Sequence, residues 1–383
     1  MRLFSCYLKK MIIKSEILIT TKIIFSFLLI AGCQWSFSQT RINGKVVNGE
    51  TQEPIPLVSV YLNNTTIGSV TEKDGTFHIK NVQPGKYKLV ASSVGYLTYT
   101  KQIDTRSANS DLTISLKVKP DELQSVDVVS YDPEGWEKWG KLFTDLFIGT
   151  NPNAIICRLM NPEVIQFRMN KDNTLTAIAK KPLKIENDAL GYEILYKLEA
   201  FEYDFNKRVV SYSGYALFKD LSEVHPGRAE KYLRKREETY DGSLMQFMRA
   251  FFMNKLELNG FEMRSIGKLS KPGNLSSPAI SHPVISSDSI GFAVDSNTAG
   301  FYFQDSLEIT YTHKVIPNAY KRLSKQAKNE TFPVSYLQFI NKRPVFIISS
   351  GYYYGPEDVK ITGFWAWWET TANLLPYDYW PPG

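Results

Sequence analysis

Residues 41–118 constrain the fold most, because short apolar runs alternate there with turn-forming residues. The run 57–62 shows the period of two that is typical of half-buried strands. The runs that we predict as strands are 41–47, 57–62, 67–71, 76–80, 87–92, 96–100 and 112–116. Seven short strands separated by turns at regular spacing predict an antiparallel β-sandwich.

One turn in this stretch is predicted more sharply than the others. Asp74-Gly75 separates the run at 67–71 from the run at 76–80. An Asp-Gly pair readily adopts the positive φ angles that a two-residue hairpin turn requires. We therefore predict a tight β-hairpin centred on these two residues.

The spacing of particular residues in this stretch resembles that of a known family, the carboxypeptidase-like regulatory domain. The matching residues are Gly44-x-Val46, Pro54-x-Pro56, Val58-x-Val60, Gly68, Asp74-Gly75-x-Phe77-x-Ile79, Gly85-x-Tyr87-x-Leu89 and Gly95-Tyr96. The family usually has Thr-Asp before the hairpin, whereas this chain has Thr71-Glu72. The resemblance implies a transthyretin-like (prealbumin-like) or carbohydrate-binding-like sandwich that carries no peptidase chemistry.

The start of the chain has the pattern of an export signal. Basic residues precede the apolar run 23–31, and small residues follow it. Residues 1–38 hold five basic residues and one acidic residue, so they contribute four of the six net positive charges of the 383-residue chain. The remaining residues therefore carry a net charge of only +2, which does not favour nucleic acid as a partner. Cleavage after Ser38 is the processing that we favour, and lipidation of Cys33 within the lipobox-like Ile30-Ala-Gly-Cys33 is the alternative.

The length and composition indicate two folded domains after the signal. We predict a signal peptide at 1–38, a sandwich at 39–118, a linker at 119–130 and a larger β-rich α+β domain at 131–383. In that domain, helical spacing predicts a helix at 136–147 and another at 244–252 that Ser243 caps, and His225-Pro226 opens a charged helix. Strands are predicted at 164–169, 174–179, 192–205, 208–218, 290–294, 307–315, 334–340 and 344–348, with a long loop at 268–287.

The C-terminal tail is rich in aromatic residues. Helical spacing over 364–375 brings Phe364, Trp367, Trp368 and Leu375 to one face. Packing of this tail on its own domain is the interpretation that we favour. Stacking of tryptophans on sugar rings and seating at a membrane interface are the alternatives.

The second half also resembles an uncharacterised family of exported Gram-negative envelope proteins. The motifs are Asn161-Pro162-Glu-Val164, Pro182-Leu183-x-Ile185-x-Asn187, Leu190-Gly191-Tyr192, Tyr240-x-Gly242-Ser243, Phe247-x-x-Ala250, Gly363-Phe-Trp365 and Leu375-Pro-Tyr-Asp-Tyr379. This chain has Gln246 where a histidine is expected, which argues against catalysis on that helix. Residues 122–129 resemble the segment that follows such sandwiches in TonB-dependent receptors.

Motifs that carry catalysis or bind metal are missing from the sequence. No histidine is followed three residues later by an acid, so zinc carboxypeptidase ligands are absent. Neither a Gly-x-Ser-x-Gly elbow nor a phosphate loop occurs. We therefore expect no cofactor and no metal. Cys157 is interpreted as a buried apolar residue rather than a nucleophile, and a pair of carboxylates acting on a glycoside is left open.

These observations favour a non-catalytic exported protein of the periplasm or outer membrane, with possible peripheral association with that membrane. It would bind an envelope protein or a glycan through its sandwich and its C-terminal domain. The alternatives are an envelope hydrolase with its site in 130–383 and an accessory component of TonB-linked uptake. The candidate binding residues are Arg236, Tyr240, Arg249, Trp365, Trp367 and Trp368.

Overall fold

The computed structural model describes residues 40–107, 111–119, 131–266 and 283–382. The predicted signal peptide, Cys33 and all of the predicted linker except Lys119 lie outside these residues. Most of the predicted loop at 268–287 lies outside them as well. The domain boundaries given above therefore stay predictions.

The N-terminal segment folds into seven strands in two sheets, which confirms the predicted sandwich. The strands are β1 (Thr40–Asn48), β2 (Ser59–Leu62), β3 (Gly68–Val70), β4 (Thr76–Val82), β5 (Lys86–Ser92), β6 (Tyr99–Asp104) and β7 (Leu112–Leu116). One sheet has the order β4-β1-β7 and the other the order β3-β2-β5-β6. Their facing sides enclose an apolar core that includes Val46, Val60, Phe77 and Leu89. Strands β1 and β7 are parallel, and the other neighbours are antiparallel.

The hairpin predicted at residues 74–75 is wrong, because β3 and β4, which flank this turn, belong to different sheets. The side chain of Thr71 accounts for the difference. Its hydroxyl accepts a hydrogen bond from the Val58 N–H at 2.9 Å and donates to the Ile55 carbonyl at 2.7 Å. These buried bonds hold the end of β3 against the segment before β2, so the chain crosses from one sheet to the other after the turn.

The strand predicted at 96–100 starts later, at Tyr99. Gly95 has φ +84°, a conformation that glycine adopts without steric cost. After it, the Leu97 N–H donates to the Lys117 carbonyl at 2.8 Å. The chain at this point therefore lies against the segment that follows β7 and joins the sheet only two residues later.

A long six-stranded sheet follows helix α1 (Gly135–Phe147). Its strands are β8 (Cys157–Leu159), β9 (Ile165–Met169), β10 (Thr174–Ala179), β11 (Leu183–Asn187), β12 (Tyr192–Asp204) and β13 (Val209–Asp220). The order is β8-β11-β12-β10-β9, and β13 also pairs with β12. Buried and half-buried residues alternate along the first half of β12, so one face of the sheet is apolar. Helix α1 covers this face, where Phe143 packs edge-on against Phe167 at a ring separation of 5.7 Å.

Helices α2 (Ala229–Tyr240) and α3 (Leu244–Phe252) lead into a further core. Helix α3 is capped as predicted, because Ser243 Oγ accepts a hydrogen bond from the Gln246 N–H at 3.1 Å. The strands are β14 (Phe261–Ile266), β15 (Gly291–Asp295), β16 (Thr298–Phe301), β17 (Ser306–Tyr311), β18 (Val334–Phe339), β19 (Val345–Ile348), β20 (Tyr353–Tyr354) and β21 (Val359–Gly363). They form two four-stranded sheets, β14-β17-β18-β21 and β15-β16-β19-β20.

The remaining α-helices of the described chain are short: α4 (Ser287–Ile290), α5 (Asn318–Leu323) and α6 (Phe364–Trp368). The second half is therefore β-rich with packed helices, and the protein is mainly β, as predicted. The second half holds two apolar cores, one around α1 and the six-stranded sheet and one around α3.

The C-terminal tail contributes to both of these cores. Its helix ends at Trp368, earlier than the predicted end at 375, because Ala372 leaves the helix and donates its N–H to the Ile148 carbonyl at the end of α1. Trp365 and Trp368 are buried beside α3, whereas Ala372 and Leu375 are buried beside α1. Packing on its own domain, the favoured interpretation of this tail, is what the structure shows.

The crossing between the two sheets of the sandwich requires glycine at position 75. Gly75 has φ +78°, and a Cβ there would lie 2.6 Å from the Val46 carbonyl oxygen. We expect Gly75→Ala to lower the free energy of unfolding by about 1–3 kcal/mol, measured by urea denaturation. Gly227→Ala is the control, because a Cβ at Gly227 meets nothing within 4 Å. Equal stability of the two variants would contradict the role of Gly75.

Candidate functional site

A cleft lies between the sandwich and the outer face of the six-stranded sheet. Its volume is about 440 Å³, within the range of roughly 300–1,000 Å³ that is usual for small-ligand sites. Both halves of the chain line it. The lining residues are Leu57, Ser59, Tyr61, Ser92, Ser93, Val94, Gly95, Tyr96, Lys119, Ala179, Lys180, Pro182, Leu195, Lys197 and Leu217.

The walls of the cleft combine the faces of paired strands with the loops that follow them. On the sandwich side, β2 pairs with both β3 and β5. On the other side, β12 pairs with β11, β10 and β13. The backbone N–H and C=O groups of these strands are therefore used within the ladders, and side chains provide most of the groups that face the cleft.

Tyr61 forms the buried end of the cleft. It faces outward from the sandwich core, yet it is almost completely covered because the second half packs against it. Burial, and next the carboxylate of Glu199, raise the pKa of the Tyr61 phenol above its ordinary value. The side chain is therefore a neutral hydroxyl that can donate or accept a hydrogen bond but does not act as a base.

The charged residues that line the cleft are all lysines: Lys119, Lys180 and Lys197. Lys180 and Lys197 have no ion-pair partner in the part of the chain that the structure describes. No aspartate or glutamate is among the described residues that line the cleft. Glu199 lies near Tyr61 and accepts a hydrogen bond from Thr98 Oγ1 at 2.8 Å. The charged side chains that line the cleft are therefore all cationic, the carboxylate of Glu199 lies beside it, and several lining residues carry hydroxyl groups.

The outer rim of the cleft is apolar. Leu57 is 80% exposed and has φ +58°, a backbone conformation that is uncommon for a residue with a side chain. Val94 is 68% exposed on the loop after β5. Strained backbone and exposed aliphatic side chains are both over-represented where proteins bind ligands.

The C-terminal tail holds the sandwich on the second half. Both oxygens of the Asp378 carboxylate accept from the Thr66 N–H at 3.0 and 3.1 Å, and the Thr66 hydroxyl donates to the same carboxylate. The adjacent Tyr377 N–H donates to the Asn64 carbonyl at 2.7 Å. Burial raises the pKa of Asp378 above its ordinary value, although the bonds from Thr66 oppose this effect.

Strand β13 provides a second set of contacts at the same place. The Phe218 N–H donates to the Thr65 carbonyl at 2.9 Å, and the Asn64 N–H donates to the Ala216 carbonyl at 2.8 Å. On another side of the sandwich, Lys86 Nζ forms an ion pair with Asp295 at 2.6 Å. These contacts lie outside the cleft and leave its opening uncovered.

Arg236, a predicted binding residue, is 6% exposed. Its guanidinium donates to the Leu190 and Gly191 carbonyls and forms a bidentate pair with the Asp220 carboxylate. It also lies over the ring of Tyr192 at 3.9 Å. This arrangement joins α2 to the six-stranded sheet, so the predicted ligand-binding role of Arg236 stays a prediction that its contacts do not favour.

Arg249 and Tyr240 lie together at the junction of the two C-terminal cores. Arg249 is fully buried between the rings of Trp380, at 3.8 Å, and Tyr240, at 5.3 Å. It donates to the carbonyls of Ser350 and Tyr377, and its Nη1 has no partner among the described residues. Burial lowers the pKa of Arg249. Binding by this pair stays a prediction.

The three predicted tryptophans lie within or against the core around α3. Trp365 is 2% exposed and donates its indole N–H to the Gly242 carbonyl, and Trp368 is 8% exposed and donates to Thr239. Trp367 is half-buried and packs against the ring of Tyr320 at 5.2 Å. Their proposed stacking on sugar rings stays a prediction, and the burial of Trp365 and Trp368 does not favour it.

The other groups that the sequence singled out do not form a site in the described chain. Burial raises the pKa of the Cys157 thiol to about 12, so it is protonated and unreactive at neutral pH. The described residues contain no group of three or more histidine, cysteine, aspartate or glutamate side chains placed to hold a metal ion.

The sequence analysis did not select any of the residues that line the cleft. Lys180 and Lys197 belong to strands or turns that carry other lysines, such as Lys181 and Lys184, which do not line it. On the other wall, one sign of an irregular backbone is visible in the sequence, because Leu57 follows Pro56 at the start of an otherwise regular strand pattern. A site formed by docking of two domains leaves no compact motif in the sequence.

The fold and the cleft together describe a β-sandwich domain attached to a larger β-rich body. Residues 42–129 match the family model of the CarboxypepD_reg-like domain, so the N-terminal sandwich is a domain of this family. A TonB-dependent receptor from Formosa agariphila is 34% identical over 94 residues. That match covers 24% of this chain and 9% of the receptor, so the chain corresponds to a small part of that relative.

Several solved structures share local similarity with the chain. A type II cohesin–X-dockerin complex from Acetivibrio cellulolyticus is 30% identical over 20% of this chain and 51% of that chain, with a TM-score of 0.16. A putative carbohydrate-binding protein from Bacteroides uniformis is 11% identical over 48% of this chain and 80% of its own, with a TM-score of 0.17. Such scores do not support transfer of function. In the described residues, no helix is both long and apolar enough to cross a membrane.

The bond between Asp378 and Thr66 is expected to hold the sandwich in place. Asp378→Ala removes the acceptor of exposed hydrogen bonds from Thr66, and the loss of such bonds costs about 0.5–1.5 kcal/mol. We expect faster hydrogen exchange at residues 63–66 and a lower free energy of unfolding. Asp145→Ala, which removes only an exposed pair with Lys141 on α1, is the control and is expected to cost less than about 0.5 kcal/mol. Unchanged exchange at 63–66 in Asp378→Ala would contradict this docking role.

Glu369 is expected to make stability depend on pH. Its carboxylate accepts from the Leu244 N–H at 2.8 Å, and burial raises its pKa to about 7. Because the folded state favours the protonated carboxyl, Glu369 does not reduce the free energy of unfolding at low pH. That free energy then falls as the pH rises from the unfolded-state pKa of Glu369 through about 7. We expect Glu369→Gln to gain about 1–3 kcal/mol over wild type across this window, measured by urea denaturation at several pH values. A difference that does not change with pH would contradict this.

Proposed function

We propose that this chain is an exported cell-envelope protein that binds a glycan or a partner protein without catalysing a reaction. The observation that carries this proposal is the cleft of about 440 Å³ that the sandwich and the second half line together. Ligand sites occur preferentially at such junctions between domains. The binding role therefore belongs to the assembled chain rather than to either half alone.

The comparisons support a location in the envelope, either in the periplasm or at the outer membrane. The similar protein from Formosa agariphila is a TonB-dependent receptor by name, and its similarity to this chain falls within 94 residues. The predicted signal at 1–38 agrees with export. Peripheral association with the outer membrane belongs to the same proposal.

An accessory role in TonB-linked uptake is the second candidate. The observation that favours it is the 34% identity to the receptor over 94 residues. Because this match covers only 9% of the receptor, its transport activity does not transfer to this chain. Under this candidate, the cleft would bind the material that a separate receptor imports.

Catalysis has no observation in its favour. The hydrolase alternative requires a cavity that gathers acids with Arg236, Tyr240 or Arg249. Neither the cleft nor the smaller cavity beside Tyr320 and Glu330 is lined by any of these three. Lysines and hydroxyls in the cleft can hold a ligand, and among the described residues that line it no carboxylate is present to act as a general acid or base.

Filling the cleft tests the proposal. Ser93→Trp places a large side chain in the opening, whereas Ser107→Trp adds the same side chain on an exposed turn outside it. We expect the mature chain to bind members of an array of bacterial, algal and plant glycans, or envelope proteins from the native outer membrane after cross-linking. We expect Ser93→Trp to lose at least about tenfold in affinity, the order of a lost 1.4 kcal/mol. Binding by Ser93→Trp that equals Ser107→Trp would place the site elsewhere and overturn the proposal.

A further inference from the structure

We propose that the cleft recognises an acidic saccharide, a short glycan segment whose uronic-acid carboxylates pair with Lys180 and Lys197. This inference rests on the proposed function, because it names the ligand class of the same cleft. It is carried by three features of the described residues: charge, the kind of hydrogen-bonding group available, and the geometry of the walls.

The first feature is unpaired positive charge. Most lysines with a defined contact in this protein face a carboxylate, as Lys86 faces Asp295 and Lys207 faces Asp204. Lys180 and Lys197, like many exposed lysines of the described chain, have no ion-pair partner among the described residues, but unlike those lysines they share one cavity. They lie on two different segments of the six-stranded sheet and line one cleft. Two ammonium groups without internal partners in one cavity favour an anionic ligand.

The second feature is the supply of hydroxyl groups. Ser59, Ser92, Ser93 and Tyr96 come from the sandwich wall and face the lysines across the cleft. A hydroxyl both donates and accepts hydrogen bonds, which suits the hydroxyl groups of a sugar ring. The half-buried ring of Tyr96 and the exposed side chains of Leu57 and Val94 supply apolar surface against which the C–H face of a sugar ring can pack.

The third feature separates a saccharide from an acidic peptide. Extended peptides usually bind by adding a strand to an exposed sheet edge, where free backbone groups provide most of the bonds. The strand residues that line this cleft belong to β2, β5, β10, β12 and β13, and all of these strands except β13 are paired on both sides, so their backbone groups are used in the sheets. A peptide backbone would therefore find few partners, whereas a saccharide uses the side-chain hydroxyls and ammonium groups that are present.

The test uses the full mature chain and a panel of uronic-acid trisaccharides built from galacturonate, glucuronate, mannuronate and guluronate. Their methyl esters keep the rings and remove the charge. Binding is measured by titration calorimetry at low and high salt. We expect at least one free acid to bind, its ester to bind at least about tenfold more weakly, and salt to weaken binding.

The double variant Lys180→Gln/Lys197→Gln removes both charges and keeps side chains of similar length. We expect it to lose roughly tenfold or more in affinity for the acid and to leave binding of the ester unchanged. The control Lys73→Gln/Lys171→Gln removes two charges from exposed turns outside the cleft. Lys180→Arg/Lys197→Arg keeps the charge and is expected to retain binding, which excludes a defect of folding.

The outcomes separate the two levels of the proposal. If no acid on the panel binds, or if the Lys→Gln pair and its control bind equally, the acidic-saccharide inference is overturned. A neutral glycan or a protein could bind the wild type and the Lys180→Gln/Lys197→Gln variant but not Ser93→Trp. That result would overturn the acidic-saccharide assignment and leave the proposed binding role of the cleft intact. Binding of hexaglutamate that equals the best trisaccharide would favour an acidic peptide and overturn the saccharide assignment.

Discussion

The attachment of the sandwich to the second half depends on the C-terminal tail. Trp365 enters the core around α3, Leu375 enters the core around α1, and the Asp378 carboxylate bonds to Thr66 of the sandwich. Segments that are far apart in the sequence, such as Thr66 and Asp378, are thereby joined by a few polar contacts. The cleft exists only while these contacts hold, because each of its walls belongs to a different part of the chain.

Much of the fold could be predicted from the sequence because its signals are local. Alternating runs identified the seven sandwich strands, and Ser243 marked the start of α3. The hairpin prediction at residues 74–75 was wrong although a turn does occur there. The pairing of the flanking strands depends on Thr71, whose hydrogen-bond partners lie 13 and 16 residues away in the sequence. Strands β8, β11, β14, β16, β20 and β21 were not predicted, since most are too short to show a clear alternation of apolar and polar residues.

The candidate site was much harder to predict than the fold. Residues with conspicuous chemistry, such as Arg236 and Trp365, drew attention, yet the structure uses them for packing and buried hydrogen bonds. Clustered aromatic residues and arginines are as characteristic of a well-packed core as of a binding surface. Lys180 and Lys197 carry no local signal, because their importance depends on what the sandwich places opposite them. Sequence patterns report the secondary structure of each segment but not how two finished domains dock.

The position of the cleft follows from where the two sheets are fastened. The bonds to β13 and to the tail lie at residues 63–66, just beyond the end of β2, and Thr98 bonds separately to Glu199 of β12. The cleft opens near the start of β2, at Ser59 and Leu57. Twisted sheets that touch at one end separate toward the other, so a gap is expected there unless large apolar side chains fill it. The gap is lined by serines and lysines as well as by apolar side chains such as Leu195 and Leu217, and burying ammonium groups without partners would be costly. The gap therefore stays open to solvent. The lysine ammonium groups and serine hydroxyls that line it are then available to a ligand.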